Sequence, residues 1–475
     1  MESTDHHAST LNKVSWQDLF SNGNGIKAIT LALGVMLHAT NVYLATTVMP
    51  SVIKEIGGLE YYAWNTTFFV AASVVGSVVS ANRLAKLGPK KSYQMAILLF
   101  ALGTLVCTAA GSMYILLLGR FIQGLGGGLL FALSYAMIRI VFIKDLWPRA
   151  MALVSGMWGI AAFSGPFVGG IFAEQGQWRM AFGVLLIFCL LIFITASIIL
   201  PSKQNKHTTP PIPYLKLLML VLAAFSVSAG SIAESTTLNV SGVLVAVFFI
   251  YILMVTENKN SGSRLLPTGS YYFSTALSKT YVVMALLTIA TSIEIYVPYF
   301  AQTIQRFSPI ESGYLTVLIA IGWTFASIAF SGVKEAIAGK IILAGCILMF
   351  IGLAGLTGIS LLSGFDTSYL HLILTCTFLF AAGAGIGMGW PHLLTRVFAL
   401  APSGQEELAS ASVTTVQLMA TAFGTALAGL AANIGGILSP GGIQGAHQAS
   451  IILYGTFSIA PFLAAVVIAA IVRKK

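Results

Sequence analysis

Apolar runs of about twenty residues alternate with short polar breaks along nearly the whole chain. A helix needs roughly 20 apolar residues to cross a bilayer. Candidate crossings fall at 27–49, 62–82, 92–111, 114–137, 149–172 and 179–200. A polar, proline-containing break from Pro201 to Pro213 follows, then two more crossings near 214–233 and 238–256. After a second polar stretch, Glu257 to Lys279, six crossings return at 280–302, 312–333, 340–362, 368–392, 408–432 and 449–472. Six, two and six crossings predict an all-α integral membrane protein of 14 transmembrane helices. The expected domains are a polar tail (1–26), a six-helix bundle (27–200), a linker (201–213), two inserted helices (214–256), a second linker (257–279) and a second six-helix bundle with a short tail (280–475). Residues 1–25 are polar and the first apolar run is already a full span, which argues against a cleavable leader.

Composition agrees with this pattern. The 475 residues are 57% hydrophobic and only 8% charged, against about 25% charged in soluble domains. The net charge of +10 would suit a nucleic-acid partner if it were clustered, but its placement follows topology. With the N-terminus inside, every one of the 25 Lys and Arg falls on the inner side except Lys54, Arg179, Arg306 and the intramembrane Arg120. The inner set includes Arg83, Lys86, Arg139, Lys144, Arg149, Lys203, Lys206, Lys216 and Arg473 to Lys475. This is a positive-inside bias. It requires an even number of crossings in the middle and puts both termini in the cytoplasm. The four cysteines all lie in apolar runs without metal-like spacing and read as packing residues. His6-His7 reads as solvated. No cofactor and no metal are expected.

One stretch stands apart. Arg120-Phe121-Ile122-Gln123-Gly124-Leu125-Gly126 places an arginine in the fourth crossing, and the fifth carries Gly165-Pro166-Phe167-Val168-Gly169-Gly170. The glycines of the fourth crossing recur in the fourth of the last six, at Gly383, Gly385, Gly387 and Gly389. Aligning Gly124 with Gly383 sets Leu379 opposite Arg120, so the charge belongs to one repeat only. Two six-span halves in parallel repeat suit an alternating-access carrier.

These motifs resemble the major facilitator superfamily, in particular its 14-helix drug:proton antiporter branch. The R-x-x-Q-G-x-G pattern is similar to that family's fourth-helix motif, G-P-x-x-G-G to its fifth-helix antiporter motif, and Trp178-Arg179 is another common feature. The resemblance implies the major facilitator fold and proton-coupled export. It also implies conformational roles for Gly88, Lys90 and Lys91 between the second and third crossings, and for Gly165, Pro166, Gly169 and Gly170. Two family acids are missing. The loop around Ala85 to Lys91 lacks its acidic residue, and Asn41 stands where the branch carries a first-helix aspartate.

The remaining candidates come from residue chemistry. Arginine at mid-membrane costs about 2.5–3.5 kcal/mol on insertion scales and should face the protein interior. Arg120 therefore serves either coupling or a structural anchor to backbone carbonyls. Glu294 is the one carboxylate placed inside a bundle span. It is a candidate proton carrier, unless it sits near the outer water. His38, three residues before Asn41, is a second candidate proton site or a neutral packed histidine. Asn41, Gln123, Trp158, Tyr296 and Gln417 are expected to line a substrate cavity. Tyr296 lies about 200° around a regular helix from Glu294, so the two share a face only if Pro298 distorts the helix. Ser410, Thr414, Gln417 and Thr421 make a polar stripe. Trp323 and Trp390 could join Trp158 in binding flat or cationic ligands. Gly165-Pro166 should weaken the fifth helix. Glu234, Glu335, Glu406 and Glu407 read as solvated.

The expected function is a secondary active transporter exporting small, often lipophilic compounds against inward proton movement. The alternative is a transporter of one metabolite or siderophore in either direction. No hydrolase, zincin or nucleotide-loop motif supports an enzyme or an ATP-driven pump, and a channel fits the paired halves less well. The expected partners are a small-molecule substrate, protons and the lipid bilayer, with neither nucleic acid nor ATP. Short loops and the resemblance point to the bacterial inner membrane.

Overall fold

The computed structural model describes residues 16–21, 23–202, 211–232, 235–259, 264–363 and 368–472. Lys203, Lys206, Glu234, Arg473 to Lys475, His6-His7 and the Glu407 side chain lie outside that description. A short helix α1 (Trp16–Phe20) precedes α2 (Asn24–Ile56), α3 (Trp64–Thr108), α4 (Met113–Val141), α5 (Trp147–Glu174) and α6 (Trp178–Ile199). The inserted helices are α7 (Tyr214–Ser231) and α8 (Thr236–Lys259). Then come α9 (Ala276–Thr291), α10 (Val297–Ile304), α11 (Pro309–Phe330), α12 (Glu335–Ser363), α13 (Tyr369–Leu400), α14 (Glu406–Ile434) and α15 (Gly442–Val472).

Thirteen helical segments among the described residues are long and apolar enough to cross a membrane. One of them contains α3, which runs 45 residues and turns at Gly88 (φ 76°, ψ 171°) just before Pro89. That left-handed backbone favours glycine, and the turn converts one continuous helix into two crossings. The total is therefore fourteen. Helix starts follow capping rules. Ser112, Thr275 and Ser368 each accept a backbone N–H three residues on. Ser308 and Glu311 form a reciprocal capping box with Pro309 at the first position. One expected span is interrupted: a 3₁₀ turn at Ser292–Ile295 separates α9 from α10.

Helices α2 to α6 pack on one another, as do α9 to α15. The repeat is visible in the closest helix contacts. A Cβ at Gly124 would collide with the Phe69 backbone, one at Gly126 with Phe100, and one at Gly128 with Ser73. In the second group, Gly383 meets Ile319, Gly385 meets Met349, and Gly387 meets Trp323 in the same order. Gly103 against Gln123 is matched by Gly352 against Ala382. Hence Arg120 and Gln123 of the first group correspond to Leu379 and Ala382 of the second.

The groups meet through α5 and α11, α3 and α14, and α2 with α10 and α11. Helix α7 packs on α8, α14 and α3. The helices differ in length, with 18 residues in α7 against 33 in α2.

Candidate functional site

In the first group, Arg120 is 1% exposed. Its Nε donates to the Asn65 carbonyl at 3.2 Å and its Nη1 to Gln123 Oε1 at 2.6 Å. The guanidinium lies 4.3 Å from the Phe69 ring centre. Gln123 Nε2 donates in turn to Thr104 Oγ1 at 2.8 Å. No carboxylate pairs with Arg120 among the described residues. Gln123 was expected on a cavity wall. Both ends of its amide are occupied and it is wholly buried, so it belongs to the packing between α3 and α4.

His38 sits beside this cluster. Its ring lies 5.2 Å from Phe69, 5.3 Å from Phe131 and 6.1 Å from Trp158. Arg120 is an electrostatic neighbour. Among the described residues, His38 Nδ1 is buried without a hydrogen-bond partner, and so are both amide atoms of the fully buried Asn41. Such groups normally find a partner, so the α2 pair is a place with unspent hydrogen-bonding capacity. Trp158 is partly exposed and meets Phe131 edge-on. Phe131 continues to Tyr135, whose hydroxyl is 3.1 Å from Ser155 Oγ.

In the second group, Glu294 lies in the 3₁₀ turn, partly exposed, and makes no hydrogen bond or ion pair among the described residues. Its carboxylate is an electrostatic neighbour of Tyr43 on α2, across the boundary between the groups. Tyr296 departs from the expected cavity position. It is 1% exposed and stacks on Tyr62, two residues before α3, at 4.7 Å and on Phe300 at 5.8 Å. The 3₁₀ turn, tighter than an α-helix, breaks the regular geometry on which the expected angle to Glu294 rested. On α14, Thr414, Gln417 and Thr421 are partly exposed and Ser410 is exposed. Trp323 and Trp390 lie edge to face at 5.2 Å inside the second group.

The glycine-proline motif lies where the groups touch. Helix α5 runs unbroken through Pro166. Residues 165, 166, 169 and 170 form one buried strip, while Phe163 and Phe167 point outward. A Cβ on Gly165 would press on Tyr43 and Leu44 of α2, and one on Gly170 would strike Ile310 of α11. Glu174 Oε1 accepts the Ile310 N–H at 3.4 Å. Nearby, Thr67 Oγ1 of α3 and Thr425 Oγ1 of α14 are 3.0 Å apart. These contacts lie at the end where α2, α5 and α14 finish, called here the closed end. Gly88, Arg83, Lys86, Arg139, Lys144 and Lys216 lie at the opposite, basic end. There the Lys90 N–H donates to the Pro201 carbonyl at 3.3 Å, and Lys91 is exposed.

Sequence reasoning missed Asn65, Tyr43 and the Lys216–Glu257 ion pair that joins α7 to α8. Lys216 is 5% and Glu257 2% exposed. Glu257 also accepts the Leu265 N–H at 3.1 and 3.2 Å. Burial and the adjoining Glu257 carboxylate push the Tyr271 hydroxyl above its usual range. A signal for the pair was present: Lys216 near the start of one apolar run and Glu257 near the end of the next meet in any antiparallel helix hairpin.

A family model described as Major Facilitator Superfamily matches residues 31–440. A protein of Mycobacterium tuberculosis named probable multidrug-efflux transporter is 35% identical over 428 residues, covering 88% of this chain and 90% of the relative. Multidrug resistance protein 3 of Bacillus subtilis is 23% identical over 376 residues, covering 76% of this chain and 70% of the relative. Among solved structures, the POT family transporter PepTSo superposes with a TM-score of 0.66 at 14% identity, over 94% of this chain and 98% of the other. A D-xylose-proton symporter gives 0.59 at 16% identity, over 94% and 97%; these two likenesses concern the fold. With its repeated six-helix groups, its fourteen crossings and a match across most of its length, this chain belongs to the Major Facilitator Superfamily.

Proposed function

We propose that this membrane carrier exports small, often lipophilic compounds by alternating access, driven by protons moving inward. The two helix groups act as rocking units of residues 27–200 and 280–475, with cytoplasmic linkers at 201–213 and 257–279. The basic end is cytoplasmic, both termini lie there, and the closed end faces outward across a bacterial inner membrane. Protons and the small-molecule substrate are the partners; neither ATP nor nucleic acid takes part.

The observation that carries this reading is Glu294. It is a carboxylate without a hydrogen-bond or ion-pair partner among the described residues, at a break in its helix, and it faces Tyr43 of the other group. A carrier that must load and release a proton as its halves separate needs such a group near their boundary. Phe131, Tyr135, Ser155, Trp158 and Gln417 supply a wall for apolar and flat substrates, with His38 and Asn41 buried behind it. Arg120 acts through His38 and Gln123. Gly165, Pro166, Gly169 and Gly170 form the seam on which α5 moves against α2 and α11. The relatives' names, a probable multidrug-efflux transporter and a multidrug resistance protein, support broad substrate choice.

The test uses inverted membrane vesicles carrying an acid gradient, with a panel of lipophilic cations, dyes and siderophores. Substrate-induced proton release by the native protein, abolished in Glu294→Gln at equal expression, is the expected result. Release by both proteins would remove Glu294 from the mechanism and pass its role to His38. Uptake of a siderophore or metabolite without proton release would favour a specific transporter.

A further inference from the structure

The last carbonyls of a helix have no partner within it. In α7 two of them accept side-chain donors from outside the helix, one from each helix group. The Trp64 indole N–H, at the start of α3, donates to the Ser228 carbonyl at 3.1 Å, which also accepts the Ser231 hydroxyl at 2.7 Å. The Asn433 amide, near the end of α14, donates to the Ser231 carbonyl at 2.7 Å. Apolar contacts repeat this division. Phe225 of α7 packs on Phe68 of α3 at 4.5 Å, while Ala223 and Val227 cluster with Ala426 of α14. At Gly429 of α14, Ala63 Cβ, Ser231 Oγ and Tyr296 Oη converge within 4 Å of where a Cβ would stand.

The other end of the inserted pair is held differently. The buried Lys216–Glu257 pair closes the α7–α8 hairpin, and Glu257 fixes the following linker through the Leu265 N–H. Three residues on, the Thr268 N–H donates to Gln405 Oε1 at 2.8 Å, in the turn before α14. At the basic end the hairpin is therefore bonded to the second group.

Resting on the alternating-access reading above, we propose that α7 is a clasp over the closed end. It travels with the second group through Asn433 and the Thr268–Gln405 anchorage, and it must let go of Trp64 each time the closed end opens.

Two cysteine pairs separate a releasing contact from a permanent one. In full-length protein whose four native cysteines are replaced, Trp64→Cys with Ser228→Cys, or Asn433→Cys with Ser231→Cys, is bridged by a short bismaleimide. Opening is read by hydrogen–deuterium exchange in residues 64–75 and 420–430, which needs neither substrate nor proton gradient. The first bridge should slow exchange there several-fold, and the second should leave it within twofold. In the unbridged protein, Trp64→Phe, which keeps the ring and drops the donor, should speed it several-fold. Equal effects of the two bridges, or no effect of the first, would overturn the clasp. The expected exchange pattern in a protein that releases no protons in the vesicle test would keep the clasp and sink proton-driven export.

Discussion

At the scale of single residues, Arg120 is a buried charge satisfied by neutral oxygens. The Asn65 carbonyl and Gln123 Oε1 accept its hydrogen bonds, and Phe69 covers its face. Removing the guanidinium leaves Gln123 Oε1 buried and unpaired, at about 1–3 kcal/mol, and takes a second donor from the Asn65 carbonyl, which keeps its partner within α3. Arg120→Met should therefore lower the unfolding temperature measured in detergent. Arg120→Lys should do the same to a smaller extent, since a point charge cannot span both acceptors. An unchanged melt in both variants would show that the charge has no anchoring role. The arginine was legible in the sequence because charge within an apolar run is conspicuous. Its partners were not. Asn65 binds through its backbone, which every residue has, and it lies 55 positions away. Spacing puts Gln123 on the face of Arg120 but does not say which other helix covers that face.

At the scale of helices, apolar run length found every crossing, since the bilayer constrains length more tightly than it constrains identity. The break in the span from Ala276 to Ile304 was not legible. Thr291-Ser292-Ile293-Glu294 contains no glycine or proline, and Pro298 lies beyond the turn. The repeated glycines were legible as small residues, whereas the backbone each one meets is visible only in the fold. Gly128→Ala would gain about 1 kcal/mol of helix propensity but drive a methyl into the Ser73 backbone. The expected outcome is a net loss of stability and of folded yield by size-exclusion chromatography, with Gly387→Ala behaving alike in the second repeat. The α7–α8 hairpin permits a cleaner comparison. Lys216→Met strands Glu257 and should cost about 3–5 kcal/mol. Lys216→Met with Glu257→Leu removes both charges and should restore most of the lost thermal stability. A double variant as unstable as the single one would mean that the linker hydrogen bond from Leu265, and not the charge pairing, sets the energy.

At the scale of the whole molecule, two similar groups carry dissimilar chemistry. The first holds Arg120, His38 and the glycine-proline seam; the second holds Glu294, a carboxylate unpartnered among the described residues, with Leu379 where the first has Arg120. The parallel repeat and the even insertion were readable from run lengths and glycine spacing. The position of α7 across both groups was not, because its capping contacts engage backbone carbonyls and leave no pattern in residue type.

The shortness of α7 has one more consequence. Eighteen residues rise only ~27 Å, while a bilayer's hydrocarbon layer is about 30 Å thick. A helix this short brings the carbonyls held by Trp64 and Asn433 nearer the oily layer as the bilayer thickens, and an uncapped polar group is costly there. Membrane thickness becomes a mechanical load on the carrier: long-chain phosphatidylcholines raise the cost of taking the indole donor from the Ser228 carbonyl, which then keeps only the Ser231 hydroxyl, and short-chain ones lower it. In nanodiscs, hydrogen exchange at residues 64–75 should slow as acyl chains lengthen, and Trp64→Phe should flatten that slope. A slope that survives the substitution would place the thickness sensor elsewhere in the molecule.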